Sequence, residues 1–228
     1  MASAVASEHR ELLTCATGSS GKLGLMKALH RKDLYGWSRF DEARNLDFHS
    51  VLWVRPEGNV VFDPLPLSPH DAAHLRSLGG VAWVVLTNSE HVRAARELVA
   101  DFGAKLAGPR AEADTFPLKC DRWLSDREEL VPGLVALELH GSKTPGELAF
   151  LLEDTTLLTG DLLRGQVGGR LNLLPDAKLK DAARARASVR GLLARTRIDA
   201  VLVGDGWPVF RGGHAALEEL VAALPHDP

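Results

Sequence analysis

The sequence is short of positive charge, of cysteine and of long apolar runs, and each shortage removes a class of function. Its 228 residues carry a net charge of −3. A general nucleic-acid or anionic-membrane binder needs a basic surface, and this composition does not supply one. The arginines of DAARARASVRGLLARTR do cluster, but helical spacing reads them as a solvated face before a phosphate-binding patch. No apolar stretch approaches the roughly 18 residues of a membrane span. The start, MASAVASEHRELL, lacks a charged region followed by an apolar core, so no signal peptide is expected. Only Cys15 and Cys120 are present, far apart and without CxxC spacing. A disulfide framework is excluded, and a reduced, cytoplasmic chain is the expectation. What is present is ordinary for a globular protein, with 45% apolar and 25% charged residues.

The length suits one sizeable domain. Residues 1–35 are weakly patterned and read as an N-terminal extension or lid, in which GSSGKLG is a loop and LMKALHRK a short helix. Residues 36–228 read as a single domain. HSVLWVR and NVVFD are short strands joined by PEGN, and the second ends at Asp63-Pro64. SPHDAAHLRSLGG reads as a helix capped by Ser68, with Pro69 at its first position. VAWVVLT is an apolar run typical of a strand covered on both faces. EHVRAARELVADFG is a helix ending at Gly103, and KLAGP a strand. Residues 110–133 are loops and edge strands. LVALELH, ELAFLLE and TLLTGD are three strands, the last two joined at Asp154-Thr155 or one residue away. LRGQVGGRLNLLPDAKL reads as a long functional loop. A helix (KDAARARASVRGLLART), a strand (IDAVLVGDG) and a helix (GGHAALEELVAAL) finish the chain. Two sheets covered by helices satisfy this order. Sites in such folds lie at strand ends, where TNSEH, HGSKTPGE, TGDLLRG and GDGW carry polar groups.

Taken in order, FDP, TNSEH, TPGE, LLTGD and VGDGWP resemble the motifs of the metallo-β-lactamase superfamily, the αββα metallohydrolases. The resemblance runs from about residue 48 to the C-terminus and implies an αββα sandwich of two mixed sheets. The family's metal turn is T-H-x-H-x-D-H. Counting back from FGAKLAGP places His91 on its last His and Glu90 on its Asp, with the turn two residues shorter and both His of the HxH pair missing, one position deleted and the other taken by Asn88. An ungapped alignment instead puts Asn88 and Glu90 on the HxH positions, and Val92-Arg93 on Asp-His. The gapped version is preferred, since the other leaves no ligand pair at the second metal. Lys143 stands where the first site's third His precedes TPG, and His140 lies three residues too early. Asp161 matches the bridging Asp, and Asp205 replaces the final His of GHG.

On this resemblance the first metal site is lost, because a charged ammonium has no lone pair to offer. The second survives as Glu90, His91, Asp161 and Asp205, an oxygen-rich set suited to one Mn²⁺, Fe²⁺ or Mg²⁺, with Zn²⁺ also admitted. A metal-free solution stands beside it. Converging carboxylates need a cation, and Lys143 next to Asp161 and Asp205, aided by Arg93 or Arg164, can provide it.

Each residue also has a plain explanation. Glu90 opposes a helix dipole. Asn88 or Ser89 is an N-cap. His91 is a satisfied core or surface histidine. Asp161 and Asp205 cap turns, Lys143 is a loop lysine, and Asp63 is a turn residue that in the family supports a ligand. Trp207 and the loop from Arg164 to Arg170 wall a pocket, or Trp207 packs the last helix; His214 caps that helix.

Two function classes follow. One is a protein of this fold with an altered active site and at most one metal, catalytically retired. The other is a single-metal hydrolase of an ester, thioester or phosphoester, in which Asn88, Lys143 and Asp161 serve catalysis and Zn, Mn or Fe activates water. Whether the chain is an enzyme at all stays open. The expected partner is a small-molecule substrate or ligand, with neither nucleic acid nor membrane expected and self-assembly into a homo-oligomer left open.

Overall fold

The computed structural model describes residues 26–225. Two β-sheets lie face to face, with helices on their outer faces. Seven strands build the first sheet in chain order: β1 (Lys27–Ala28), β2 (Leu34–Asp41), β3 (Leu46–Trp53), β4 (Val60–Phe62), β5 (Trp83–Val85), β6 (Lys105–Pro109) and β7 (Arg122–Leu124). The second sheet holds β8 (Glu129–Val131), β9 (Leu134–Leu139), β10 (Glu147–Leu152) and β11 (Thr156–Thr159), with β14 (Ala200–Val203) parallel to β11 at its edge. A ribbon of β12 (Leu163–Val167) and β13 (Arg170–Leu173) follows β11. The helices are α1 (Pro69–Ser77), α2 (Ala95–Phe102), α3 (Ala182–Leu192) and α4 (Gly213–Ala223). Among the described residues no helix is long and apolar enough to cross a membrane.

Local chemistry sets these boundaries. Ser68 and Asp71 form a reciprocal capping box, with Pro69 at the first position of α1. Gly103 ends α2 at φ 64. Crossovers through α1 and α2 make β4, β5 and β6 parallel, in the registers Val61↔Val84 and Val84↔Leu106. Alternation along the strands divides the apolar residues into three layers. Leu52, Val61 and Val84 pack outward under α1 and α2. Phe62 and Phe150 meet between the sheets with ring centroids 5.7 Å apart. On the outer face of the second sheet, Ala149, Leu151 and Val201 pack under α3 and α4.

Three expectations need correction. Lys27–Ala28 is a strand paired to β2, not part of a helix over 25–32; its register with Tyr35 and Gly36 favours the sheet over the weak helical pattern. Leu25, and Cys15 with it, lie outside the described residues. The Gly-rich segment after Asp161 is an antiparallel ribbon turning at Gly168-Gly169, not a structureless loop. The polar half of EHVRAARELVADFG is not α-helical. Ser89–His91 forms a 3-10 turn capped by Asn88, Arg93 takes φ 41, and the α-helix begins only at Ala95.

This topology gathers one edge. Asp63 follows β4, Thr87 to His91 follow β5, Asp161 follows β11 and Asp205 follows β14. Lys143 precedes β10, which runs antiparallel to β11 and so starts at the same edge.

Candidate functional site

At that edge four carboxylates meet four basic groups. Asp63 sits at φ 44, and its carboxylate accepts from the Thr87 amide (2.8 Å), the Thr87 hydroxyl (2.7 Å) and His91 Nδ1 (2.8 Å). The His91 ring is thereby fixed with Nδ1 as donor, and Nε2 faces Asp161 Oδ2 at 3.5 Å. Burial alone would lower its pKa, but Asp63 and the Asp161 hydrogen bond outweigh burial and the charge of Arg93, and raise it to about 9. Asp63 thus makes the contact with His91 that the resemblance leads one to expect.

Asp161 is the hub. Its Oδ2 accepts from Lys143 Nζ at 2.9 Å and from Asn88 Nδ2 at 3.2 Å. Its Oδ1 accepts from Arg164 at 2.8 Å. Burial would raise its pKa, yet His91 and Lys143 hold it well below the usual carboxylate range. Arg164 also reaches Asp205 Oδ2 at 2.8 Å and so bridges the two aspartates. Asp205 Oδ1 is buried with no hydrogen bond; Arg93 approaches it to 3.5 Å. The guanidinium of Arg93 is itself anchored on the carbonyls of His49 and Asp63.

Glu90 turns outward. Its side chain is half exposed and pairs with Lys143 Nζ at 2.5 Å. It is not among the groups that converge as a candidate metal triad, which are His91, Asp161 and Asp205, with one ligand atom of each within 4.8 Å of the others. Lys143 meets Asp161 as expected, but the cations on Asp205 are Arg164 and Arg93. His140 is exposed beside α3, pairing loosely with Glu138 at 3.9 Å and taking no part. His214 Nε2 contacts the Leu193 carbonyl, and Asp205 serves the cluster rather than a turn of its own.

Two buried glutamates, not singled out in the sequence, hold the loops in place. Glu147 accepts from Ser142 Oγ (2.5 Å) and the Leu162 amide (2.7 Å), tying the Lys143 loop to the Asp161 loop. Burial and the charge of Asp161 push its pKa up to about 7. Glu112 accepts from the amides of Ser89 and Gly146, joining the His91 turn to the same Lys143 loop. An acid opening the otherwise apolar strand ELAFLL was a signal for Glu147; Glu112 had none.

The cluster is closed. Asp161 and Asp205 are each 1% exposed. The turn 204–207 is bonded on both sides: His49 N–H donates to Gly204 O, Gly206 N–H to Asp47 O, Gly165 N–H to Asp205 O and Trp207 N–H to Gly165 O. The glycine of LLTGD is needed here, since a Cβ on Gly160 would lie 2.5 Å from Thr87 Oγ1.

The sequence model of the metallo-beta-lactamase superfamily matches residues 26–224. Among curated proteins none matches by sequence. Similar solved structures include DIM-1 metallo-beta-lactamase, at 13% identity and TM-score 0.66, covering 84% of this chain and 92% of that one. The metallo-beta-lactamase from Pontibacter korlensis aligns at 16% identity and TM-score 0.64, covering 84% and 94%. A metallo-beta-lactamase family protein from Thermus thermophilus aligns at 18% identity and TM-score 0.62, covering 83% and 78%. At such identities the structural likeness carries the fold.

Proposed function

We propose, for a chain that belongs to the metallo-beta-lactamase superfamily, a role without a resident metal, in which side-chain cations of the protein itself balance the site and the protein works by binding rather than by hydrolysis. One observation carries this reading: Arg164 bridges Asp161 and Asp205 while Lys143 occupies the other oxygen of Asp161.

The donor set does not fit a divalent ion in this arrangement. Three of the four aspartate oxygens already face a cationic nitrogen at 2.8–2.9 Å, supplied by Lys143 and Arg164. The fourth faces Arg93. An ion at the triad would stand within a side chain's reach of Lys143, Arg164 and Arg93, and would be repelled by each. Asn88 and Lys143, the residues that the resemblance sets at first-metal positions, make hydrogen bonds to Asp161 instead. Closure of the turn 204–207 argues the same way, since hydrolysis needs room for both water and substrate beside the reacting groups. On this reading Lys143, Arg93 and Arg164 perform the electrostatic task that metals perform in relatives, and the result is structural.

A second reading keeps one observation in its favour: the unpartnered Oδ1 of Asp205 within the His91–Asp161–Asp205 triad supports a single ion held by those residues. Metal analysis separates the two. Protein purified without chelators from cells supplied with Zn²⁺, Mn²⁺ and Fe²⁺ is expected to carry well under a tenth of an equivalent. Near one equivalent, lost in His91→Ala, would overturn the metal-free reading.

A further inference from the structure

A cavity of about 280 Å³ opens at the edge of the sandwich, beside Trp207 and Pro208 of the loop that carries Asp205. We propose that it binds a small uncharged molecule bearing an aromatic ring.

Its floor is the open end of the inter-sheet core, formed by Leu29, Val51 and Leu202. Its rim is Trp207 and Phe210, 60% and 39% exposed. Strand register extends the same face. Gly36, Ser38 and Phe40 of β2 stand opposite Val51, His49 and Asp47 of β3, and successive side chains alternate. Phe40, 57% exposed, therefore continues the face that lines the cavity. Among the described residues the exposed large apolar side chains are Phe40, Val167, Trp207 and Phe210; Trp207 and Phe210 line the cavity, and Phe40 lies further along the same face of β2. Exposed apolar groups scattered singly need no explanation, whereas a cluster around a concavity marks a binding surface.

The rim is also held in place. Trp207 follows Gly206, at φ +86, and its amide donates to Gly165 O at 2.6 Å. Two residues on, Val209 exchanges both backbone hydrogen bonds with Val201, at 2.7 and 2.9 Å. An exposed indole on a backbone pinned at both ends loses little further freedom when a ring stacks on it. Phe210 is steadied by the His30 ring, 5.9 Å away.

Charge and size set the class of ligand. The charged groups lining the cavity are Lys27 and Asp47, one of each sign, so neither an anion nor a cation is favoured. The volume falls just below the roughly 300–1,000 Å³ typical of drug-sized ligand pockets, which suits one ring or two fused rings. Ser38 supplies a hydroxyl that can give or take a hydrogen bond.

The inference is independent of whether the ion cluster binds metal. Its test is titration of the full chain with indole, indole-3-acetate and tryptamine, followed in ¹H–¹⁵N spectra through the Trp207 indole N–H. Indole is expected to shift that resonance saturably, with both charged analogues binding at least about fivefold more weakly. Trp207→Ala, which removes an exposed wall, and Ser38→Phe, which fills the cavity, should each weaken indole binding about tenfold, as read from neighbouring amide shifts. The proposal falls if indole causes no saturable shift, if the charged analogues bind equally well, or if Trp207→Ala binds unchanged. It also falls if the resonances of this face respond only to protein concentration, which would make it a self-contact. Should Ser38→Phe fail to fold, Trp207→Ala decides.

Discussion

The loop GDGW serves two neighbouring regions of opposite character. Asp205 points into a cluster where every charge has a partner within the chain. Trp207, two residues later, points out over a cavity with no side chain of the described protein filling it. The first region is polar, with its aspartates buried and paired within the chain; the second is apolar, half open and edged by exposed rings. The contrast teaches where this chain has room for something else. In the cluster, positive side chains stand against each aspartate, so a newcomer must displace a charge. In the cavity a newcomer meets no such pairing among the described residues. On the two proposals made above, the superfamily scaffold carries an internally neutralised polar edge on one side of this loop and room for a ligand beside Trp207.

The sharpest way to break this contrast is to open the cluster. Arg164→Met removes the bridge between Asp161 and Asp205 and strands one oxygen of each. Leaving a buried charge uncompensated costs about 3–5 kcal/mol, so chemical denaturation should show a loss of that size. Because the cost lies in the stranded carboxylates, Arg164→Met combined with Asp205→Asn should recover part of it. A loss below about 1 kcal/mol in the single variant would mean that water or another group already reaches these oxygens, and that the cluster is not closed.

Protons provide a gentler probe. Glu147 has its carboxyl raised from 4.5 to about 7 by burial and by Asp161. The folded chain therefore holds a proton there that the unfolded chain has released over that interval. By linkage, this group's contribution is full below about pH 4.5 and is lost as pH rises through about 7, an effect on the order of 3 kcal/mol. Asp161 works in the opposite sense: its lowered pKa gives stability that is present above the ordinary carboxylate range and lost as pH falls below it. Histidines titrate in the same window, so the diagnostic quantity is the difference between the wild-type chain and Glu147→Gln across about pH 4.5–8. That difference should favour Glu147→Gln increasingly toward alkaline pH. A flat difference would show that Glu147 ionises freely and does not sit under the charge of Asp161.

Much of this was legible in the sequence, for identifiable reasons. The order of elements follows from alternation and capping: Ser68-Pro69, Gly103 and the largely apolar β10 are where local preference and burial agree. Convergence of Asn88, His91, Lys143, Asp161 and Asp205 follows from the motif order, because each motif sits at a strand end on one edge. Three features could not be read. Glu90 turns outward because a 3-10 turn, not the first turn of a helix, carries it, and helix period does not distinguish the two. The exchange of partners, with Arg164 rather than Lys143 on Asp205, depends on side-chain reach from a ribbon that the glycines at 168–169 made look like a loop. Glu112 acts through the backbone amides of Ser89 and Gly146 on distant loops, and such bonds leave no spacing in the sequence.

The smallest effect is expected on the other side of the loop. Trp207→Ala removes a large apolar side chain, a change that in a packed core costs about 3–5 kcal/mol. Here the indole is 60% exposed, and its residue is positioned by a backbone bond to Gly165 that alanine keeps. The expected loss is within about 0.5 kcal/mol, as for surface positions free of special geometry. Stability and ligand response should thus separate at this residue: denaturation midpoint nearly unmoved, indole binding weakened. Arg164→Met should separate them in the reverse direction, with stability falling while the folded protein still binds indole, because Arg164 does not line the cavity. If Trp207→Ala instead destabilised the chain by several kcal/mol, the ring would be part of the packed fold, and the difference between a closed cluster and an open cavity would disappear.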